Sequence, residues 1–307
     1  MENLITVATQ VGILFALMGV GAISRKARLI DECSIKGMVN LLLLVVTPAL
    51  IVTVFQREYD PEMLKGLGIA FLLALLSHFA MMVLSLCLAI KRSVDTKVVL
   101  RVATVFSNAG FMGIPLEEAV LGPKGVFFGI VYVVVFNLLM WSWGLKLMGG
   151  KADKLKMMVN PGTVGIAIAL PLFFFSAKMP EVISKPVSML AALNTPVAML
   201  VIGYYLAGAK LKRVLVSFDA YASAFSRLII CPVLMILALV PFKNVFDYEM
   251  MIALVIPAAA PAGAMVTMFA SKFRRDVDMS VGIVSGTTLL SIITMPPIIA
   301  LAMSILS

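Results

Sequence analysis

Few side chains in this sequence could do chemistry, and several of them share one apolar stretch, "FSNAGFMGIPLEEA", Phe106 to Ala119. Ser107 offers a hydroxyl and Asn108 an amide, and both can donate hydrogen bonds to an anion. Gly110, Gly113 and Pro115 follow, and residues of these types weaken or break a helix. Glu117 and Glu118 have two readings: they stabilise the start of a restarted helix or line an outer vestibule, or they couple a proton or cation. With Pro115 as the first residue of the restarted helix, Glu117 takes its third position, where a carboxylate belongs.

Four further features lie in other apolar runs. His78, the one histidine, either relays protons or stays neutral and bonded to a neighbouring helix. Arg227, in "SAFSRLIICPVLM", is either a functional charge held deep in an apolar segment or a side chain that snorkels out of its end. Asn194, before Thr195-Pro196, either touches a ligand or satisfies carbonyls that Pro196 frees. Thr287, Ser291 and Thr294 recur at helical spacing and make one polar face, read as packing between helices.

Other chemistries lack their residues. There is no glycine-rich phosphate loop with its lysine, no His-Glu-x-x-His pair and no paired intramembrane aspartate, so an ATP-driven pump or a hydrolase has no catalytic constellation. Cys33, Cys87 and Cys231 have no metal-ligand spacing and suit packing. No enzyme activity, cofactor or metal is expected.

The elements that position these residues follow from composition. The 307 residues are 62% hydrophobic and 13% charged, with mean hydropathy +1.07, far from the roughly one-quarter charged content of soluble domains. The chain reads as an all-α membrane protein. A span needs roughly 20 residues, and ten fit: 3–24, 35–56, 64–90, 96–121, 124–148, 161–176, 186–209, 217–240, 249–271 and 278–305. The opening "MENLITVATQ" lacks a basic leader region, so the first apolar segment is read as a retained span.

The net charge of +9 follows the connections. Basic residues crowd those after the odd-numbered spans, as at Arg25, Lys91, Lys151, Lys210 and Lys272, whereas the even-numbered ones hold few, among them Arg57, Lys124 and Lys178. The positive-inside rule sets the rich side in the cytoplasm of a plasma or inner membrane and both termini outside. The basic charge therefore addresses membrane lipids rather than nucleic acid.

Two halves echo each other. Thr47-Pro48 recurs as Thr195-Pro196, and Pro115 as Pro261, at nearly equal offsets. The reading is a first five-helix repeat over 1–148, a cytoplasmic linker over 149–160, and a second repeat over 161–307. Five is odd, so the second repeat enters from the opposite side, an inverted 5+5 arrangement common among secondary transporters. Spans four and nine are expected to be broken at mid-depth, the latter at Pro257, Pro261 and Gly263, and to cross there. Each restarted half presents unpaired N–H groups and a positive dipole end, so the expected ligand is a small organic anion held by Asn108 and Ser107.

"SNAGFMGIPL", Ser107 to Leu116, resembles the fourth-span signature of the auxin efflux carrier family, bacterial members included, and Met112 to Leu116 is similar to the same stretch of plant PIN carriers. "VNPGTVGIAIAL" with Asn160-Pro161, "NTPVAMLVIGYYLAG" and "PAGAMVTMFASKFRRDVDMS" agree with the family over nearly the whole chain. The resemblance implies a scaffold of spans one, two, six and seven, a moving domain of the rest, elevator-type alternating access and often a homodimer. By motif, Asn108, Pro115 and Pro261 become crossover residues. The long plant loop between spans five and six is missing, and Ala109-Gly110-Phe111 departs from the plant wording. That departure favours the dicarboxylates of bacterial relatives, such as malate or malonate, over an auxin-like acid. A proton- or sodium-coupled carrier and a non-transporting membrane receptor are the alternatives.

Overall fold

The computed structural model describes residues 2–89, 91–150, 161–209 and 212–307. The core of the expected linker, 151–160, and Lys210 lie outside the described residues. Within them the elements are helical: α1 (Glu2–Lys26), α2 (Glu32–Leu41), α3 (Thr47–Phe55), α4 (Pro61–Leu86), α5 (Val94–Val105), α6 (Ile114–Leu139) and α7 (Leu145–Leu147). They continue as α8 (Pro161–Phe174), α9 (Glu181–Ala191), α10 (Asn194–Leu206), α11 (Lys212–Leu215), α12 (Phe218–Phe225), α13 (Cys231–Leu239), α14 (Tyr248–Ala259), α15 (Met265–Lys272) and α16 (Val277–Leu306). Wider π turns join α2 to α3, α6 to α7 and α12 to α13, and another, Ala109–Gly113, leads into α6.

Helices begin where a short polar side chain can accept from a free N–H of the first turn. Asp31 accepts from Ser34 at 2.7 Å, Asp60 from Glu62 at 2.9 Å, Asp247 from Met250 and Asp276 from Met279 at 3.1 Å. These capping carboxylates sit in the loops, at the ends of apolar runs.

Among the described residues, seven continuous helical runs are long and apolar enough to cross a membrane: 4–26, 32–55, 61–86, 109–147, 181–206, 218–242 and 277–306. The difference from the ten spans read in the sequence arises where the chain stops or turns. Tyr248–Ala259 and Met265–Lys272 are each too short, as are Val94–Val105 and Thr163–Phe174. The run over 109–147 is bent sharply at Gly122, whose φ of 67° and ψ of −161° fit neither side of a helix. Only glycine adopts that conformation cheaply. Beyond the bend the chain folds back: a Cβ on Gly125 would run into Leu121, and one on Gly129 into the Glu117 carboxyl.

Many of the helices are apolar on all sides yet only half buried. In α1, Val7, Val11, Leu14 and Met18 face inward, while Ile5, Ile13, Val20 and Ile23 are bare. In α4, Ala70, Ala74, His78 and Met81 are buried and Leu72, Leu76, Phe79 and Val83 exposed. Such continuous apolar outer faces suit hydrocarbon, not water. By contrast, α14 is buried from Met250 to Ala259 and marks the centre of the molecule. The protein is a multi-pass membrane protein.

Glycines allow backbones to touch at two crossings, as small residues do in membrane bundles. Gly21 of α1 lies against the backbone of Leu200 in α10, and Gly203 of α10 against that of Met18. Gly165 of α8 lies against Pro48 and Ile51 of α3.

The connections form two groups. Arg92 pairs with Asp219, and Arg275 donates to Asp95 at 2.6 Å and to the Met148 carbonyl at 2.8 Å. At the end of α1, Arg25 stacks 4.6 Å from the Tyr204 ring and donates to its carbonyl. In the other group, Lys124 meets Asp247 and Glu249 at 2.6 and 2.9 Å, and Lys178 meets Glu58 at 3.2 Å. Burial pushes the Asp247 carboxyl up, but hydrogen bonds from Lys124 and the Met250 N–H outweigh it and hold the group below its usual range.

Candidate functional site

The site forms where two helical runs stop inside the bundle. The first stops at Val105 and resumes at Ala109; the second stops at Ala259 and resumes at Met265. The extended links meet as a two-residue antiparallel bridge, Ser107 to Ala262. The Asn108 N–H donates to the Pro261 carbonyl at 2.6 Å, and the Gly263 N–H to the Phe106 carbonyl at 2.9 Å. Each link thus satisfies the other's backbone, as a region without water requires.

Close approach depends on small residues. A Cβ on Gly263 would lie 2.9 Å from the Ser107 carbonyl oxygen, and one on Gly113 would lie 3.3 Å from Pro257. The Ala262 amide donates to Thr287 Oγ1 at 3.1 Å. Thr287 therefore serves the crossing itself, beyond the packing role read from its spacing. The polar face on that span was the available signal.

The break falls upstream of where the sequence suggested. Gly110, Gly113 and Pro115 lie in the restarted helical run, not in the gap. The Asn108 carbonyl accepts from the N–H groups of both Met112 and Gly113, at 3.0 and 3.2 Å, in a widened turn. Pro115 follows directly after that widened turn, as the second residue of α6, where the shifted register leaves room for a residue without an N–H donor. The match of Pro115 with Pro261 fails on the same ground: Pro261 lies in the contact, whereas Pro115 is about two turns beyond it.

The four helix ends at this point differ in access. The carboxyl ends of α5 and α14, Thr104–Val105 and Ala258–Ala259, are buried, while Gly110, Phe111, Ala264 and Met265 at the restarts are partly open. The amides of Ala109, Gly110 and Phe111, and those of Ala264 and Met265, find no backbone acceptor among the described residues. Beside them Asn108 is 7% exposed and its side chain makes no hydrogen bond among those residues. The buried Ser107 hydroxyl likewise lacks a partner. This cluster is rich in donors and poor in acceptors, so it can receive an anion.

Arg227 is 0% exposed and does not snorkel. Its helical run begins at Phe218, which leaves the guanidinium more than two turns from that end. It donates to the carbonyls of Thr104 and Val105 at 3.3 and 2.9 Å, to that of Ala258, and to Cys231 Sγ at 2.7 Å.

Glu117 is also 0% exposed, and neither carboxyl oxygen has a hydrogen-bond partner among the described residues. The restart at Ala109 takes it out of the first turn of the resumed run, and it packs against Gly129 instead. Glu118 is half-buried and accepts from Thr195 Oγ1 at 3.0 Å, tying α6 to α10. Asn194 is 2% exposed with its Nδ2 unpartnered, so it does not cap carbonyls freed by Pro196. The α10 helix packs against the Ala109–Gly113 turn. His78 bonds through Nδ1 to the Ala74 carbonyl of its own helix at 2.8 Å, rather than to a neighbour. Its ring stands 4.7 Å from Tyr132 and 6.1 Å from Phe106, behind the crossing.

No group of three or more His, Cys, Asp or Glu side chains among the described residues is arranged to hold a metal. No curated protein matches the chain. The sequence model of the auxin efflux carrier-like family described as "membrane transport protein" matches residues 6–158 and 150–299, nearly the full length, and the chain belongs to that family of membrane transporters.

Proposed function

We propose that this chain is a secondary transporter of a small organic anion, a mono- or dicarboxylate such as malate or malonate. Its ten spans form a 5+5 inverted repeat with spans four and nine broken and crossed, in the plasma or inner membrane. The observation that carries this reading is the asymmetry at the crossing: two positive helix ends partly open beside Asn108, and two negative ends buried. A carboxylate can take the unpaired amides and the Asn108 side chain together, with Ser107 and Asn194 as further donors. Pro261 holds the link extended, and Gly110 leaves its approach open.

Alternating access by an elevator is supported by the pairing of helices. The glycine contacts join α1 to α10 and α3 to α8, spans one, seven, two and six of the scaffold. The crossing belongs to the remaining spans. The two groups of loop contacts agree with connections that alternate between membrane faces, the basic one cytoplasmic and both termini outside.

The test is a thermal-shift screen of purified protein against carboxylates, since a ligand of the folded state raises its apparent stability. A carboxylate should raise the midpoint of the wild type, and Asn108→Ala, inserted normally, should abolish that shift and flux in proteoliposomes. Unchanged binding and flux in Asn108→Ala would remove this residue from the site.

One observation favours a second reading, coupling to protons: the buried, unpartnered Glu117 carboxyl. Glu117→Gln should then remove any response of flux to an imposed pH gradient. His78, Glu118 and Arg227 are the other coupling candidates; each makes a hydrogen bond, while His78 Nε2 and Arg227 Nε are buried without one among the described residues.

A further inference from the structure

We infer that Arg227 is a resident cation that occupies the position between two helix carboxyl ends where a metal cation would otherwise sit, and thereby fixes the crossing as an anion site. Discontinuous helices in transporters present carbonyl ends to sodium ions and amide ends to carboxylates. Here both kinds of end occur within one crossing, but the carbonyl ends of α5 and α14 are taken by a single guanidinium.

The charges match in size. Each helix end carries roughly half a negative charge, so two ends balance about one guanidinium. No carboxylate pairs with Arg227 among the described residues; its other neighbours include the Cys231 sulfur and the Tyr132 hydroxyl, and its Nε has no hydrogen-bond partner among them. A fully buried charge costs several kcal/mol unless its surroundings repay it. Three carbonyls aligned by two helices supply that repayment here, and the planar fork of arginine reaches both ends at once, which a point charge cannot.

Two consequences follow. The crossing needs no sodium or potassium to hold its halves together. The negative ends are screened, so the field felt at Asn108 and the open amides is the positive one of the restarted helices. Arg227 acts through these helix ends and is a positioning residue. The second consequence rests on the transport reading above, while the first does not.

The test uses the full chain in detergent and needs no substrate for its first two arms. Wild-type protein should melt at the same temperature in sodium, potassium and N-methylglucamine chlorides of equal ionic strength. Arg227→Ala should melt lower and regain part of the loss with millimolar guanidinium but not with urea. Should Arg227→Ala fail to fold, Arg227→Lys serves, with a lower midpoint that the same guanidinium titration does not restore. In whichever variant folds, the affinity for a carboxylate that shifts the wild type should fall about tenfold, the effect of one helix-end charge. A sodium-dependent rise of the wild-type midpoint, or an Arg227→Ala protein as stable as wild type and indifferent to guanidinium, would overturn the inference. Cation independence and rescue without any carboxylate shift would instead leave Arg227 as the resident cation and count against the anion-transport reading.

Discussion

The Gly263 amide donates to Phe106, and the space where its side chain would begin is already filled by the Ser107 carbonyl, 2.9 Å away. That oxygen belongs to backbone, so it cannot swing aside as a flexible side chain would. Gly263→Ala should push the two links apart, cost about 1–3 kcal/mol, as overpacking does, and lower carboxylate affinity through displaced amides. Melting and binding measured together check this; a stable variant with normal affinity would show that the links can separate freely. The sequence flagged Gly263 as a helix breaker, but its steric role was not legible, because a close approach depends on the partner strand. Asn108 was legible, since an amide in a long apolar run needs a reason, and its buried side chain, without a hydrogen bond among the described residues beside the open helix ends, supplies one. Arg227 was open between two readings until the start of α12 was known; a shift of about two turns in that boundary separates a snorkelling arginine from a buried one.

Among the elements, the pair formed by the Gly122 bend and the start of α14 is held by Lys124 between Asp247 and Glu249. Asp247 also caps α14, the buried helix that ends at the crossing. Its carboxyl titrates below the usual value in the fold, so its stabilisation is present above about pH 4 and lost as pH falls further. Wild-type protein should therefore lose thermal stability on acidification below about pH 4 more steeply than Asp247→Asn; parallel pH profiles would show that the cap contributes nothing. The existence and type of the long helices were written in their apolar runs. The location of the break was not, because Pro115 was read as an interior proline that ruptures its helix. A preceding π turn changes that: it shifts the carbonyl register, and the proline then needs no donor. The Gly122 bend was legible: spans four and five were separated at "LGPKG", where a positive-φ glycine before a proline ends one helix and opens another.

For the whole molecule, orientation is the property that charge counts addressed and that an experiment can decide. Cys33, in the first turn of α2, and Cys87, just past the end of α4, are exposed next to connections of the basic group, and Cys231 is buried beside Arg227. A membrane-impermeant maleimide should leave intact cells unlabelled, label inside-out vesicles, and label neither once both exposed cysteines are serine. Labelling of intact cells would reverse the proposed topology. The buried arginine has a further effect if its helix moves with the elevator. A unit charge carried through the full membrane field contributes about 2.3 kcal/mol per 100 mV. With Glu117 protonated, the empty moving body bears Arg227's charge and the body loaded with a monovalent carboxylate bears none, so voltage acts on the unloaded return alone. With Glu117 ionised the assignment reverses, and the loaded step becomes the electrical one. Pre-steady-state currents recorded with and without substrate would then read out the protonation of a carboxyl group sealed within the bundle.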